Sequence, residues 1–132
     1  MDAVRRMNEV FTENGIELPL ENQGTVDGST RFEKGLDAQA TIFGDGMREI
    51  AAPGPENMTR SSRYLVDNCF GDYYTRGGLD LETREMLTLA ILVNLGTESQ
   101  IGSHITGNAN MGRSREFIEE VIYQCLPYAG YP

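Results

Sequence analysis

The sequence predicts an all-α protein, and three observations support this prediction. Apolar residues recur at helical spacing in several segments. No alternation of period two is long enough for a strand. Residues that favour helix ends flank the most apolar segment, with Asp80 as its N-cap and Gly96 as its C′ residue. With 132 residues, of which 39% are hydrophobic, the chain has the size of one domain, small enough for its helices to depend on subunit contacts.

The N-terminal region is predicted to be a helix followed by an extended arm. Residues 2–14 place four apolar side chains at helical spacing, and Gly15 closes the helix: these side chains are Val4, Met7, Val10 and Phe11. Residues 15–29 contain Pro19, Gly24 and Gly28 and show no sustained period. This arm either wraps a neighbouring subunit or is a mobile terminus. Residues 1–29 are therefore treated as an N-terminal region outside the main domain.

The next helix is predicted to begin at Ser29 or Thr30 and to end near Phe43. One face carries Phe32, Leu36, Ala40 and Phe43. Gly35 inside this helix costs about 1 kcal/mol relative to alanine, which indicates close packing or a functional contact. A short helix over residues 45–53 is expected to stop at Pro53, and Gly54 with Pro55 turns the chain.

Residues 56–76 are predicted to form a longer helix, which Gly77 and Gly78 break. Its expected inward residues are Met58, Tyr64, Leu65, Cys69 and Phe70. The final helix is expected to start at the N-cap Ser114 and to carry an apolar face made of Phe117, Ile118, Val121, Ile122, Cys125 and Leu126. Pro127 should kink or end it.

Two helices joined at Gly96 form the predicted centre of the fold. Apolar residues cover nearly the whole circumference of the first helix, residues 81–95, so it should be buried on several sides. The second opens at Thr97, whose hydroxyl and the Gln100 side chain can form a capping box.

This hairpin predicts a contact between Glu85 and His104. At about 1.5 Å of rise per residue, Glu85 lies roughly 16 Å and His104 roughly 12 Å from the Gly96 turn. Antiparallel helices about 8 to 10 Å apart would therefore bring the carboxylate and the imidazole together in an apolar setting. The alternative is a solvated histidine and an ordinary first-turn acid.

Charge and composition exclude several classes of protein. Eleven basic and twenty acidic residues give a net charge of −9, which is unsuited to nucleic acid and is repelled by an anionic membrane surface. No apolar run reaches the length of about 20 residues that spans a bilayer. We therefore expect a cytoplasmic protein without nucleic-acid or membrane partners, with Cys69 and Cys125 reduced.

The sequence also predicts that no metal or organic cofactor is used. One histidine and scattered acids supply too few closely spaced ligands for zinc, and no calcium-loop spacing is present. A glycine-rich nucleotide motif is also lacking.

Two segments and one histidine form a recognisable pattern: YTRGGLDLETREMLTLAILVNLG, the following His104, and the closing EFIEEVIYQCLPYAGYP. This pattern resembles the carboxymuconolactone decarboxylase family, which is related to the alkylhydroperoxidase D proteins. The resemblance runs from about Arg31 to the last residue. In redox-active relatives a Glu and a His nineteen positions apart enclose a Cys-x-x-Cys motif, whose cysteines correspond here to Thr97 and Gln100. The chain therefore keeps the acid and the imidazole but lacks the dithiol.

The resemblance implies an alkylhydroperoxidase D-like bundle of about six helices over residues 30–132, assembled as a homo-oligomer, either a trimer or a hexamer. It implies decarboxylation, as in aromatic catabolism, of a small unsaturated carboxylated lactone, a reaction in which the substrate itself accepts the electrons. Glu85 and His104 are the expected catalytic pair. The expected substrate-binding residues are Arg76, Arg84 and Asn108, although the arginines suit exposed salt bridges and the asparagine suits a local cap.

Two other functions remain open from the sequence. The first is an alkylhydroperoxidase or peroxiredoxin-like antioxidant activity through Cys69, although a buried, inert cysteine is the commoner case. The second is a non-enzymatic, oligomeric binding domain. An open, lined recess beside His104 would separate an enzyme from such a domain.

Overall fold

The computed structural model describes residues 1–50 and 55–131 of the chain. This described part is helical and contains no strand, which confirms the all-α prediction. The helices are α1 (Asp2–Glu13), α2 (Arg31–Phe43), α3 (Gly46–Ile50), α4 (Glu56–Tyr64), a π-helical segment (Leu65–Tyr74), α5 (Leu81–Leu95), α6 (Glu98–Asn110) and α7 (Arg115–Ala129). None of the described helices combines the length and the apolar character needed to cross a bilayer.

The closest packing in the molecule is between α2 and the π-helical segment. A Cβ atom built on Gly35 would lie 2.2 Å from the Val66 carbonyl oxygen and 2.8 Å from the Gly71 nitrogen. A Cβ atom on Gly71 would in turn lie 2.6 Å from the Arg31 carbonyl oxygen. The two backbones therefore meet where neither helix carries a side chain, which confirms the close packing predicted at Gly35. The core cluster beside this contact contains Ala38, Ile42, Phe70 and Tyr74.

The π-helical segment corrects the predicted inward face of residues 56–76. Phe70 is buried and Cys69 is partly buried, as expected. Three residues expected to face inward are exposed instead: Met58, Tyr64 and Leu65. Hydrogen bonding from i to i+5 widens each turn, so residues four apart stay on one face of this segment. The inward positions are consequently Val66, Phe70 and Tyr74.

The hairpin of α5 and α6 has the predicted ends but not the predicted cap. Asp80 accepts a hydrogen bond from the Thr83 backbone N–H at 2.8 Å. Gly96 ends α5 in the left-handed region at φ 68°, which suits a residue without a side chain. The Thr97–Gln100 capping box is wrong, because the Thr97 hydroxyl donates to the Leu92 carbonyl at 3.2 Å instead.

A single chain buries less of α5 than its composition predicts. Its buried residues are Glu85, Leu89 and Leu92. Leu87, Ile91 and Leu95 are exposed by 42%, 59% and 68%, and their spacing of four residues places them along one stripe. We call these three residues the α5 stripe. The prediction of burial on several sides is therefore wrong for one chain by itself.

The last helix follows the prediction at its start and departs from it at its end. The Ser114 hydroxyl accepts a hydrogen bond from the Phe117 N–H at 3.2 Å, so Ser114 is the N-cap. The helix runs through Pro127 to Ala129 rather than ending at the proline. Ile118 and Cys125 are its buried residues, and it packs on α5.

The N-terminal arm contacts the body of its own chain. The Gly77 N–H donates to the Gln23 carbonyl at 2.9 Å, and the Thr25 hydroxyl donates to the Thr75 carbonyl at 2.7 Å. Helix α1 is present as predicted, but it buries none of its residues. The predicted stop of the short helix at Pro53 and the turn that begins at Gly54 lie outside the described residues.

Candidate active site

Glu85 and His104 form the buried polar pair of the hairpin. His104 Nδ1 lies 2.6 Å from Glu85 Oε1, so the contact predicted from the helical rise is present. The Glu85 side chain has 0% exposure and the His104 side chain 14%. Because an ionised carboxylate only accepts hydrogen bonds, Nδ1 carries a hydrogen toward Glu85. Nε2 then accepts a hydrogen bond when the ring is neutral and donates one when the ring is protonated.

Tyr74 holds the other oxygen of the carboxylate. The Tyr74 hydroxyl donates to Glu85 Oε2 at 3.1 Å and is in direct contact with the Thr88 hydroxyl. Burial raises the pKa of Tyr74, the Thr88 hydrogen bond partly lowers it, and the negative charge of Glu85 raises it further. Tyr74 therefore keeps its proton at neutral pH and remains a donor to the carboxylate.

Asn108 ties the two helices together behind the pair. Its side chain is buried, and its amide donates to the His104 carbonyl at 2.8 Å and to the Glu85 carbonyl at 3.3 Å. Asn108 was predicted to bind substrate, but both of these bonds go to backbone oxygens of the pair. Its observed contacts fix the distance between α5 and α6 at the level of the site.

Gly107 leaves the space that the carboxylate fills. A Cβ atom on Gly107 would lie 2.6 Å from Glu85 Oε1, 2.7 Å from Ile42 Cγ2 and 3.0 Å from Phe43 Cε1. These distances are shorter than van der Waals contact, so a side chain at position 107 would force neighbouring atoms to move. The absence of a side chain at this position therefore allows α2, α5 and α6 to close around Glu85.

A cavity of about 480 Å³ opens beside His104. Its apolar wall consists of Phe43, Met47, Leu65, Cys69 and Phe70. Its polar groups belong to Gln39, Tyr74, Thr88, Gln100, Ser103, His104 and Thr106. The lining contains no aspartate, glutamate, lysine or arginine among the residues that the structure describes, so His104 is its one ionisable base.

The imidazole is held on two sides, which leaves one edge for a ligand. Phe43 packs edge-on against the ring, with centroids 5.3 Å apart and an interplanar angle of 87°. The Nδ1 edge is occupied by Glu85. No hydrogen bond to Nε2 occurs within the described residues, and His104 lines the cavity, so Nε2 is the nitrogen available to a bound molecule.

The structure does not bring the two predicted arginines to this cavity. The Arg84 guanidinium donates to the Arg76 carbonyl at 2.9 Å, to the Gly77 carbonyl at 2.8 Å and to the Leu79 carbonyl at 3.2 Å. It therefore binds the loop before α5. Arg76 also lies outside the lining of the cavity.

Cys69 lines the cavity but is poorly placed for thiol chemistry. Burial, and then the negative charge of Glu85, raises the pKa of Cys69. A raised pKa disfavours the thiolate, which is the attacking species in peroxide reduction and disulfide exchange. The other cysteine, Cys125, is buried in α7, where its thiol donates to the Val121 carbonyl at 3.2 Å. These features weigh against the antioxidant alternative.

Sequence reasoning missed Gln39 and Phe43 as residues of the site. Gln39 belongs to a buried stripe on α2 with Gly35, Ala38 and Ile42, which are spaced i, i+3, i+4 and i+7. A polar residue inside a stripe of small and apolar residues could have marked Gln39 as a candidate site residue. Phe43 was predicted to face the core, and nothing in its helical position indicates a contact with His104.

The arrangement suits proton transfer or hydrogen bonding to a small ligand. It has one imidazole oriented by a buried carboxylate, an apolar wall and several neutral polar groups. Among the described residues, no three His, Cys, Asp or Glu side chains lie together as the ligands of a metal ion would. The one base of the lining is therefore also the group best placed to stabilise negative charge that develops on a ligand.

Comparison with known proteins identifies similar chains. A family model described as the carboxymuconolactone decarboxylase family matches residues 60–132, which is more than half of the chain. A 4-carboxymuconolactone decarboxylase of Acinetobacter baylyi is 25% identical over 103 residues, which cover 77% of each chain. A nitrosuccinic acid decarboxylase of Metarhizium robertsii is 26% identical over 102 residues, which cover 76% of this chain and 71% of that protein. The matched family region contains both Glu85 and His104.

Proposed function

The chain belongs to the carboxymuconolactone decarboxylase family, and from this membership we propose that it is a cofactor-independent decarboxylase of a small unsaturated carboxylated lactone. The observation that supports the proposal most strongly is the 2.6 Å contact between Glu85 and His104 at the wall of a cavity. This contact orients a proton-carrying group toward the space that a substrate would occupy.

The names of the similar proteins support the class of reaction. One is named for a carboxylated lactone and the other for nitrosuccinic acid. Both compounds are small acids that carry their own electron-withdrawing group, a conjugated lactone or a nitro group. Such a group receives the electron pair that remains when carbon dioxide leaves, so the protein does not have to supply an electron sink.

The proposed step uses His104 as the proton donor. The bond between the carboxylate carbon and the ring carbon breaks, carbon dioxide leaves, and the bonding pair enters the conjugated lactone as an enolate. The imidazolium Nε2–H stabilises this negative charge and then transfers its proton to carbon, which gives the enol-lactone and a neutral imidazole. Solvent protonates the imidazole again, while Glu85 keeps Nδ1 in place throughout.

The cavity suits this chemistry in size and polarity. A volume of about 480 Å³ lies within the ordinary range for small-molecule sites. Its apolar wall excludes water from the substrate carboxylate. A poorly solvated carboxylate is destabilised, which favours its loss as neutral carbon dioxide. His104, the sole base of the described lining, serves in the proposed step as the group that faces the developing charge.

The proposal is tested by following carbon dioxide release from carboxymuconolactone and, separately, from nitrosuccinic acid. We expect the wild type to accelerate release from the lactone and His104→Ala to reduce the rate by about a hundredfold or more. Ser103→Ala is the matched control, because Ser103 lines the same cavity on the same helix. Equal rates for wild type and His104→Ala would overturn the proposal. Faster release from nitrosuccinic acid would retain the reaction and replace the substrate.

We also propose that the chain functions as a homo-oligomer, a trimer or a hexamer. The α5 stripe supports this proposal, because exposed apolar residues on the most apolar helix are typical of a subunit interface. The exposed apolar face of α1, with Val4, Met7 and Val10, is a second surface of the same kind.

A further inference from the structure

Gln39 is a buried polar residue whose carboxamide oxygen has no hydrogen-bond partner among the described residues. It is 2% exposed and lies in the middle of the inner stripe of α2, where the helical pattern favours an apolar residue. Its Oε1 atom is buried and has no hydrogen-bond partner within the described residues. Buried polar atoms in native proteins are nearly always paired, so an unpaired one calls for a reason.

The other buried polar residues show what is unusual about Gln39. Glu85 accepts hydrogen bonds from His104 and Tyr74, and Asn108 donates to two backbone carbonyls. Each of these two side chains is paired inside the protein. The carboxamide of Gln39 is instead part of the wall of the cavity that contains His104. A molecule bound in this cavity could therefore supply the hydrogen-bond partner that the Gln39 carboxamide lacks.

The position of Gln39 relative to the imidazole fits a two-point site. Gln39 and Phe43 are one turn apart on α2, and the Phe43 ring packs against His104. A small ligand that touches Nε2 of His104 therefore lies along the same wall as the Gln39 amide. A carboxamide carries both an acceptor oxygen and NH₂ donors, and it can present either after rotation about its terminal bond.

We propose that Gln39 determines ligand specificity by turning its amide so that the NH₂ group takes the place of the unpaired Oε1 and donates to the non-reacting oxygen, a lactone carbonyl or a second carboxylate, of an acid held at His104. This inference rests on the proposed function for the identity of the acid. No lysine or arginine occurs in the described lining, so a second oxygen of the ligand depends on neutral donors. Gln39 is the most buried of these donors, and a hydrogen bond there competes least with water.

The test uses paraconic acid, a saturated lactone with one carboxylate, as a probe that binds without reacting. Binding is measured by titration calorimetry for wild type and for Gln39→Met, which keeps the length of the side chain and removes its polar atoms. We expect binding to Gln39→Met to be about ten- to a hundredfold weaker, with no loss of thermal stability, because an unpaired amide contributes nothing to folding. Gln124→Met is the matched control, since Gln124 is exposed on α7 and lies outside the lining of this cavity.

Three results would overturn the inference. They are an unchanged dissociation constant in Gln39→Met, an equal loss in Gln124→Met, and a wild type that does not bind the probe. A lower melting temperature of Gln39→Met would also count against it, because it would give the amide a structural partner. If the wild type binds paraconic acid through Gln39 but releases no carbon dioxide from any lactone acid, the decarboxylase proposal fails and this inference stands.

Discussion

His104 Nδ1 lies 2.6 Å from Glu85 Oε1, and the carboxylate it contacts has no exposure to solvent. Glu85 does not line the cavity, so it acts on a ligand only through its neighbours that do, His104 and Tyr74. Glu85 is therefore a positioning residue, whereas His104 is the group that touches the substrate in the proposed reaction.

Glu85→Gln should separate the role of charge from the role of shape. Glutamine has the size of glutamate, but it is neutral and can donate to Nδ1, which reverses the tautomer of His104. We expect kcat to fall by about a hundredfold, with KM little changed, because the interaction lost is one made in the transition state. Steady-state kinetics over pH 5 to 9 measure this, and a Glu85→Gln profile that matches the wild type would exclude the positioning role.

Gly107→Ala should damage the site through one methyl group. The new Cβ would lie 2.6 Å from Glu85 Oε1 and 2.7 Å from Ile42 Cγ2, so the carboxylate must shift from the position in which it contacts His104. We expect a loss of about 1–3 kcal/mol in the free energy of unfolding, together with reduced activity. Gly102→Ala on the same helix is the control, because no atom lies within 4 Å of its added Cβ. That variant should gain about 0.5–1 kcal/mol in urea unfolding.

Cys69 should be a slowly reacting thiol whose rate depends on Glu85. Burial and then the Glu85 charge raise its pKa, so little thiolate exists at neutral pH. In a Cys125→Ser background, iodoacetamide should label Cys69 more slowly than a free thiol. Adding Glu85→Gln should accelerate labelling modestly, since only the second cause is removed. Rapid labelling of Cys69 at pH 7 would revive the antioxidant alternative.

Ile91→Glu should weaken the proposed assembly. Ile91 lies in the middle of the α5 stripe, and a charge there would be buried without a partner in any interface that covers the stripe. We expect light scattering to report a smaller species for Ile91→Glu than for the wild type. Ser99→Glu changes the net charge equally at an exposed position outside the stripe and should leave the mass unchanged. A wild type that is monomeric at micromolar concentration would contradict the proposal.

Asp27 should make stability depend on pH below 4. Hydrogen bonds from the side chains and backbone N–H groups of Ser29 and Thr30 lower its pKa to about 2. Because the folded state holds the proton less tightly than the unfolded chain, this stabilisation is present above about pH 4 and is lost as the pH falls toward 2. Asp27→Asn should therefore show a shallower decline in melting temperature over this range. Parallel declines for the two proteins would remove Asp27 as the cause.

Local signals account for the parts of the fold that the sequence predicted. Asp80, Gly96 and Ser114 mark helix ends through their own backbone and side-chain preferences, and each ends or caps a helix as expected. The contact between Glu85 and His104 was one of two arrangements that the sequence allowed, and the helical rise supported it because both residues lie at similar distances from the Gly96 turn.

The features that were missed depend on neighbours that a single sequence does not reveal. A period of 3.6 residues cannot distinguish an α-helix from the π-helical segment, so Leu65 was wrongly predicted to face inward and the buried Val66 and Tyr74 were missed. Arg84 resembled a free cation for a substrate, but it binds three carbonyls of the loop before α5. Gln39 enters the site only because α2 packs against the π-helical segment at two glycines.

The full enclosure of Glu85 has a consequence for the response of the protein to salt. Mobile ions weaken attraction between charges that face water, with a Debye length of about 10 Å at 0.1 M. They cannot enter the space between the carboxylate and the imidazole, because Glu85 is sealed by its own helices. Raising the ionic strength should therefore weaken the surface ion pairs of the chain while leaving the orientation of the His104 ring intact. The proposed reaction should then persist at high salt concentration.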